Sequence, residues 1–246
     1  MASDRNIVSL QSNETDFANL IKRAHTETEL FSVCARMGRY FGLPYFAVVR
    51  DPTEIYDTLE RIMMFSNWPA PLISEYDRNR LLDKSVMVSH IRTSIEPYVF
   101  RFKDAHLGEF DDETFLTASI FRTHNMSEGV FFAFRINEVD AGAVSFCGDD
   151  EVLSREVIRK LDRLCNVIFT QLHEIRNKNA AALKNLTSRE IECLTWLSKG
   201  KQTAEIAFTL TLSEVSVLQC VDSAINKLGC KTLGHAISEA IRAKII

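Results

Sequence analysis

The sequence predicts an α+β protein in which an N-terminal α/β/α sandwich, built on an antiparallel sheet, precedes a C-terminal domain made only of helices. Three observations predict this class. Short runs rich in β-branched and aromatic residues occur in neighbouring pairs before residue 150. A heptad-like apolar stripe then extends over residues 153–175. From residue 186 onward the apolar residues follow helical spacing, and no strand pattern occurs.

The composition is that of a globular protein with enough apolar material for a sizeable core. Of 246 residues, 46% are apolar and 25% are charged, while 9 are glycine and 5 are proline, which excludes collagen-like and low-complexity chains. No apolar run approaches the roughly 18 residues of a membrane span. The N-terminus lacks the basic and then apolar order of a secretory signal. We therefore expect a cytoplasmic protein without membrane contact.

The N-terminal half combines helices with pairs of strands. Apolar spacing between Glu14 and Phe41 predicts two helices joined near Thr26 and Thr28. The predicted strands cover residues 45–50, 61–66, 130–135 and 142–147, and the predicted helices between them cover roughly 70–80, 83–93 and 111–124. Because the strands follow one another in pairs, this order favours an antiparallel sheet over a doubly wound parallel one.

The stripe over residues 153–175 predicts one long helix with Ser154 as its N-cap, because its apolar positions recur every three or four residues. Such a helix packs against a core or against a second copy in a dimer, and the sequence leaves both open. Residues 176–185 are polar, which predicts a linker. The predicted domains therefore cover residues 1–176 and 186–246, with a linker over 177–185.

Capping signals divide the C-terminal segment into four helices. Thr187 and Glu190 form a Thr-x-x-Glu capping box, Gly200 ends the first helix, and Ser213 caps the third. The fourth helix covers roughly residues 233–243. A short helix followed after a tight turn by a capped helix is the layout of a helix-turn-helix DNA-binding motif.

The segment LTSREIECLTWLSKGKQTAEIAFTLTLSEVSVLQCVDSAINKLGC resembles the C-terminal DNA-binding domain of LuxR-type regulators. The matching positions are Leu186, Thr187, Arg189, Glu190, Leu194, Gly200, Glu205, Ile206, Ala207, Leu210, Ser213, Val217, Lys227, Leu228 and Gly229. Most of these are cap, core and turn positions. The resemblance therefore implies first the four-helix fold, and through it a regulator that binds promoter DNA as a dimer.

The resemblance also implies a DNA-contacting face centred on the third helix. The residues implied are Arg189, Lys201, Ser216, Leu218, Gln219, Asp222, Ser223 and Lys227. Where many members carry basic residues, this chain has Leu218, Gln219 and Asp222, and the family histidine is Cys220. These positions therefore lack the Arg or Lys that would recognise guanine through two hydrogen bonds, although Gln219 can still hydrogen-bond to adenine. We expect an altered sequence preference or weak binding without a partner.

Residues 66–100 resemble the acyl-homoserine-lactone-binding domain of the same regulators, the autoinducer-binding domain. The pocket residues implied are Trp68, Leu72, Tyr76, Ser85, Met87, Phe100, Gly129 and Ser145. Leu72 replaces a tryptophan that donates to the lactone carbonyl, and Ser85 replaces an aspartate that accepts from the ligand amide. A hydroxyl accepts more weakly than a carboxylate. We therefore expect no usual lactone in its usual pose, but a small apolar or lactone-like ligand, or none.

No pattern in the sequence indicates an enzyme, a cofactor or a metal site. The six histidines are scattered, and neither G-x-S-x-G nor a phosphate-binding glycine loop occurs. The six cysteines form no C-x-x-C pair, so we expect reduced thiols in a cytoplasmic setting.

Two functions remain open at this level. The first is a LuxR-type regulator that binds promoter DNA as a homodimer and acts as an orphan or atypical receptor. The alternative is an anti-activator, or a subunit of a heteromer with another LuxR-type protein, with weak or no independent DNA binding. The net charge of −4 bears on this choice, because residues 184–246 hold 8 Lys/Arg against 6 Asp/Glu. The acidic balance thus belongs to the first domain, but the positive charge available for DNA is small.

Overall fold

The computed structural model describes residues 14–53, 56–102, 111–136, 140–149, 153–243 and 245–246. The chain divides into two compact units, Met1–Leu172 and His173–Ile246. The first contains a five-stranded antiparallel sheet with helices, and the second contains helices alone in its described residues. The predicted α+β class is therefore confirmed.

Two helices open the first unit, as the apolar spacing predicted. Helix α1 covers residues 14–22 of the described chain, and α2 covers Glu27–Tyr40. The Thr26 hydroxyl caps α2 by accepting from the Glu29 N–H at 3.2 Å. The inner face of α2 buries Leu30 and Met37 completely, which holds the helix on the sheet.

The sheet has the strand order β2-β1-β5-β4-β3. The strands are β1 (Tyr45–Arg50), β2 (Met63–Ser66), β3 (Tyr98–Arg101), β4 (Glu128–Arg135) and β5 (Ala141–Gly148). All neighbours pair antiparallel. In the central pair, Phe131 lies opposite Ser145 and Val130 lies opposite Phe146. Because side chains alternate across a strand, these two pairs face opposite sides of the sheet.

Two strands differ from the prediction. Residues 61–66 do not form one strand, because Leu59–Ile62 is the short helix α3. The Thr58 hydroxyl caps this helix by accepting from the Arg61 N–H at 3.3 Å. The edge strand β3 was not predicted, since four residues are too few to show a period. Its place is decided by long-range pairing with β4, in which Phe100 lies opposite Gly129.

Helices cover both faces of the sheet, which gives the predicted α/β/α layers. The remaining helices of this unit are α4 (Ala70–Arg78), α5 (Val86–Thr93) and α6 (Asp112–Thr123), together with the part of α7 (Arg155–Lys184) up to Leu172. On one face, Phe121 of α6 lies 5.9 Å from the Phe100 ring. On the other, Phe31 of α2 lies 5.1 Å from the Phe46 ring, and Phe169 of α7 stacks on an aromatic ring of β4.

Helix α7 begins as predicted, with Ser154 accepting from the Val157 N–H at 3.2 Å. Its apolar stripe is buried at Leu153, Leu161, Leu164, Ile168 and Leu172. The stripe therefore belongs to the core of its own unit. A role of α7 in dimerisation stays a prediction, and it would have to use the exposed side of the helix.

The segment predicted as a linker, 177–185, is helical almost throughout, because α7 continues to Lys184. It contains Ala180, Ala181 and Ala182 and has neither glycine nor proline. Alanine has the highest helix propensity. The polarity of this segment therefore did not indicate the irregular backbone of a loop.

The second unit contains the four predicted helices that follow α7: α8 (Ser188–Ser198), α9 (Thr203–Leu210), α10 (Glu214–Lys227) and α11 (Leu233–Arg242). The capping box is present, with the Thr187 N–H donating to Glu190 at 2.6 Å. Gly200 and Gly229 have left-handed backbones with φ of 79° and 62°, as glycines that follow helix ends commonly do. One apolar cluster packs α8, α10 and α11, and another packs α8, α9 and α10.

Within the described residues, no single helix is long and apolar enough to cross a membrane, although α9 and α10 together reach that length and apolarity with a bend of 104° between them. All six cysteines are free thiols. Burial raises the pKa of Cys34, Cys147 and Cys165 well above the usual range, so these thiols are chemically inert in the folded protein.

Candidate nucleic-acid interface and ligand cavity

A cavity of about 290 Å³ lies in the first unit, between the sheet and the helices on its α6 side. Its floor includes Phe131 and Ser145 from the central strands. Its walls come from α4, α5, α6 and the edge strand β3. The lining is mainly aromatic and aliphatic, which is typical of a site for a small amphiphilic molecule.

Six of the eight residues that the sequence assigned to the pocket line this cavity. They are Trp68, Tyr76, Ser85, Met87, Phe100 and Ser145. They come from four separate stretches of chain, and the sheet and helices bring them together. Their role in ligand binding remains a prediction, but their placement is what such a role requires.

The other two, Leu72 and Gly129, are not lining residues. Leu72 is fully buried in the apolar core on the inner side of α4. Gly129 lies beneath Phe100, where an added Cβ would be 2.5 Å from Phe100 Cζ and 2.7 Å from the Phe146 carbonyl oxygen. The glycine therefore shapes the cavity indirectly, because its missing side chain lets the Phe100 ring lie against the sheet.

Trp68 brings an unsatisfied donor to the cavity. Its indole N–H is buried and has no hydrogen-bond partner of proper geometry, and its ring packs edge-on against Phe121 at 5.2 Å. Its polar neighbour is the Cys147 thiol, which burial keeps protonated by raising its pKa and which is only a weak acceptor. A buried donor without an acceptor costs about 1–3 kcal/mol. A ligand carbonyl or ester oxygen would remove that cost.

The remaining polar groups of the interior are hydroxyls. Burial raises the pKa of Tyr76 to about 12, and a hydrogen bond with the Ser85 side chain opposes the rise. The Tyr76 hydroxyl donates to the Leu81 carbonyl at 3.4 Å, and Ser85, the N-cap residue of α5, makes no side-chain cap bond. The Ser145 hydroxyl donates to the Ala47 carbonyl at 3.4 Å. None of these groups carries the negative charge that an aspartate at position 85 would supply.

An ion pair between Lys84 and Glu113 lies at the cavity rim. Both side chains are exposed, at 69% and 41%, so their attraction is largely screened by water. These two residues were not predicted from the sequence, nor were Thr117 and Phe121 of α6, which also line the cavity. The acidic start of α6 was visible in the sequence, but nothing in the sequence indicated that it meets Lys84.

In the second unit, α9 and α10 form the helix-turn-helix. Thr211 turns the chain between them with a left-handed backbone, φ 56°. Ser213 caps α10 by accepting from the Ser216 N–H at 3.1 Å, and the two hydroxyls lie 2.8 Å apart. Val217, Val221 and Ala224 are buried. The opposite side of α10 therefore faces outward.

The outward side of α10 is apolar and acidic rather than basic. Val215 is 63% exposed and Leu218 is 51% exposed. Gln219 and Asp222 lie on the same side and are exposed. We call these four residues the α10 stripe. Phe208, 90% exposed, adds a further apolar side chain on α9.

Two residues predicted to contact DNA, Ser223 and Lys227, donate hydrogen bonds to a buried carboxylate of the same unit while remaining partly exposed themselves. The Ser223 hydroxyl donates to Glu190 at 2.6 Å, and the Lys227 ammonium donates to the same carboxylate at 2.9 Å. Glu190 is only 4% exposed. Burial alone would raise its pKa, but these bonds and those from Thr187 outweigh it and lower the pKa of Glu190 to about 2. The pattern of the sequence could not show this network, because 33 or more residues separate its ends.

The other two predicted cations are paired on the surface. Arg189 lies 3.0 Å from Glu192, and Lys201 lies 2.8 Å from Glu205. All four side chains are between 46% and 56% exposed. Such pairs contribute about 0–1 kcal/mol, so Arg189 and Lys201 can exchange their carboxylates for phosphates at little cost.

Two family models match the chain in succession. The one described as "Autoinducer binding domain" matches residues 26–172, and the one described as "Bacterial regulatory proteins, luxR family" matches residues 184–240. Between them they cover both units.

The chain is similar over nearly its whole length to known transcriptional regulators. It is 24% identical to the transcriptional activator protein AnoR of Acinetobacter nosocomialis, across 96% of this chain and 99% of that protein. It is 25% identical to the regulatory protein SdiA of Escherichia coli, across 80% of this chain and 81% of that protein.

Solved structures agree in fold. The crystal structure of Escherichia coli SdiA matches with a TM-score of 0.53 at 19% identity, covering 96% of this chain and 99% of that one. CepR2 of Burkholderia cenocepacia, described as an N-acylhomoserine lactone-dependent LuxR family transcription factor, matches with a TM-score of 0.52 at 16% identity, covering 67% and 94%. At these identities the likeness concerns the fold alone.

Proposed function

Because this chain belongs to the LuxR family of transcriptional regulators, with an autoinducer-binding domain before its helix-turn-helix domain, we propose that it binds promoter DNA in the cytoplasm as a homodimer. The observation that carries this proposal is the helix-turn-helix itself, with α10 capped by Ser213 and its outward side free of core contacts. That helix enters the major groove in DNA-binding modules of this kind.

The small positive charge of the second unit supports the proposal of a homodimer. Lys227 already donates to Glu190, so we assign the phosphate contacts first to Arg189 and Lys201, with Lys199 beside Lys201 in sequence and Lys231 just beyond α10. Few cations give weak, salt-sensitive binding by one subunit. Two linked subunits on one DNA raise the apparent affinity without new contacts.

The test is binding of the full-length protein to fluorescent genomic fragments across a range of salt concentrations, with sedimentation velocity for the oligomeric state. We expect saturable binding by a dimer. The slope of the logarithm of the binding constant against the logarithm of the salt concentration, the salt slope, should be reduced in magnitude by about 1 in Arg189→Ala. Lys22→Ala in α1, an exposed cation of the first unit, is the matched control and should leave the slope unchanged. A monomer that binds no fragment at any salt concentration contradicts the proposal.

We further propose that the cavity binds an amphiphile that offers an acceptor, rather than a homoserine lactone in the usual pose. The support is chemical: the buried Trp68 N–H has only the weakly accepting Cys147 thiol as a partner, and the neutral Ser85 is a poor acceptor for a ligand amide. An ester or ketone oxygen satisfies the first group without needing the second.

This second proposal is tested with N-decanoyl homoserine lactone and methyl decanoate, by thermal shift and isothermal titration. We expect Ser85→Asp to tighten lactone binding about tenfold, because a charged acceptor then meets the amide N–H, and to leave the ester unchanged. Ser89→Asp, on an exposed position of α5, is the control. If the unchanged protein already binds the lactone far more tightly than the ester, the proposal is wrong.

A second candidate function is a subunit that acts through a protein partner, either a heteromer with another LuxR-type protein or an anti-activator. The exposed Val215, Leu218 and Phe208 favour it, since apolar surface of this kind often lies in protein interfaces. DNA binding that appears only after another regulator is added would support this candidate over the homodimer.

A further inference from the structure

We propose that α10 selects thymine-containing half-sites through apolar contact with the thymine C5-methyl group, with Leu218 as the residue that determines this specificity and Gln219 as its adenine-reading neighbour. The inference rests on the proposed DNA binding and adds the kind of sequence that the protein prefers.

The geometry of α10 supplies the first step. Its buried side chains, Val217, Val221 and Ala224, fix the orientation of the helix in its domain. With 3.6 residues per turn, the four positions of the α10 stripe lie together on the opposite side. Val215 and Leu218 keep 63% and 51% of their surface exposed, so they contribute little to the core and are free to contact a ligand.

The second step is the chemistry of the major groove. Thymine is the base that presents a methyl group there, and apolar side chains recognise it by contact. Guanine presents two acceptors, which call for Arg or Lys. The α10 stripe has no cation, and Lys227, the cation at the end of the helix, donates to Glu190. The helix is therefore equipped for thymine and not for guanine.

Two polar residues sharpen the choice. The Gln219 amide can donate to adenine N7 and accept from adenine N6, so Leu218 and Gln219 suit neighbouring bases of an A·T-rich step. The exposed Asp222 carboxylate repels the guanine acceptors. The same carboxylate can accept a hydrogen bond from a cytosine amino group. If the site tolerates a G·C pair near Asp222, we therefore expect the cytosine, and not the guanine, to face Asp222.

DNA is favoured over a protein as the occupant of the α10 stripe. Gln219 and Asp222 interrupt the apolar side chains, whereas the centre of a protein interface is depleted in charged residues. The stripe also belongs to the helix that enters the groove in a helix-turn-helix. Phe208, the most exposed large apolar residue among those that the structure describes, lies on α9 and outside the stripe.

The experiment first selects duplexes from a randomised pool with the full-length protein, and then replaces each thymine of the selected site in turn by deoxyuridine. This change removes the methyl group alone. For the unchanged protein we expect one or two positions in each half-site at which deoxyuridine weakens binding about threefold to tenfold, the effect of exposing one buried methyl.

Leu218→Ala should bind the selected site more weakly and should no longer distinguish thymine from deoxyuridine at those positions. The matched control is Ile241→Ala, which removes an apolar side chain of similar exposure, 53%, from α11, and it should keep the full discrimination. Circular dichroism of each variant establishes that the fold is retained.

The outcomes are distinct. If no duplex is selected at any salt concentration, the proposed DNA binding fails. If the protein binds DNA but discriminates nowhere between thymine and deoxyuridine, or selects guanine-rich sites, this inference alone is overturned. It is also overturned if Leu218→Ala keeps both affinity and discrimination, which would assign the α10 stripe to a protein partner.

Discussion

The Lys227 ammonium lies 2.9 Å from the Glu190 carboxylate, and this contact ties the last turn of α10 to the first turn of α8. The same carboxylate completes the capping box with Thr187. A residue that sequence similarity assigns to the DNA surface is therefore part of the frame that orients the DNA-contacting helix.

Lys227→Met should destabilise the protein by about 1–3 kcal/mol, because it leaves a buried carboxylate without its cation. Urea denaturation of the full-length chain, followed by circular dichroism, measures this loss. Lys231→Met, at an exposed position just beyond α10, should change stability by no more than about 0.5 kcal/mol. Unchanged stability, combined with a salt slope of DNA binding reduced by about 1, would instead make Lys227 a phosphate contact.

The Glu190 network should also make stability depend on acid pH. The pKa of Glu190 is about 2 in the folded protein and about 4.3 in an unfolded chain. A folded pKa below the unfolded one means that the carboxylate stabilises the fold above pH ~4.3, and that this contribution is lost as pH falls towards ~2.

Urea titrations at several pH values between about 2 and 6 measure this dependence. Glu190→Gln should be less stable at pH 6 and should lose less stability on acidification than the unchanged protein. Glu192→Gln, which removes an exposed carboxylate two residues further along α8, should retain the steep acid dependence. Equal acid dependence in all three proteins would show that Glu190 is not responsible.

Gly129→Ala should destabilise the first unit by about 1–3 kcal/mol, the usual cost of overpacking. Its Cβ would be 2.7 Å from the Phe146 carbonyl oxygen, a backbone atom that cannot move aside, and 2.5 Å from Phe100 Cζ. At Gly234 in α11, an added Cβ would have no neighbouring atom within 4 Å. Gly234→Ala should therefore stabilise the protein by about 0.5–1 kcal/mol, because alanine has a higher helix propensity than glycine. A Gly129→Ala variant of full stability would contradict the packing described beneath Phe100.

Trp68 and Leu72 should respond in opposite ways to substitution. Trp68→Phe removes a buried donor that has no partner, so we expect stability within about 1 kcal/mol of the unchanged protein, together with weaker binding of methyl decanoate. Leu72→Ala creates a void at a fully buried position and should cost about 2–5 kcal/mol. Thermal denaturation with and without the ester separates the two effects. A large loss of stability in Trp68→Phe would place that residue in the core rather than in the cavity lining.

The sequence predicted the local structure well wherever a residue acts on its own neighbours. Ser154, Thr187 and Ser213 all cap helices at the predicted positions, because a cap needs only the next three residues. The prediction failed for β3, whose four residues have no distinctive period, and for the helical continuation of α7, where polarity concealed strong helix formers.

In the candidate sites, too, some placements followed from the sequence and others depended on contacts between distant segments. Family resemblance placed Trp68, Tyr76 and Ser85 in the cavity, since a shared fold keeps such positions together. Leu72, which the resemblance also assigned to the pocket, is fully buried on the inner side of α4, a position decided by packing. The resemblance further assigned Ser223 and Lys227 to DNA, whereas both donate to a carboxylate far from them along the chain.

By itself, the sequence determined the two-part α+β architecture, the four C-terminal helices and the absence of a cation at the centre of the α10 stripe, because periodicity, caps and residue identity are local properties. Only the tertiary structure decided which side chains remain available for function. Lys227 is engaged by Glu190, the Trp68 N–H meets only the weakly accepting Cys147 thiol, and Leu218 is exposed beside Gln219. These outcomes depend on where distant segments meet, and the free energy of that packing is not encoded in any single stretch of chain.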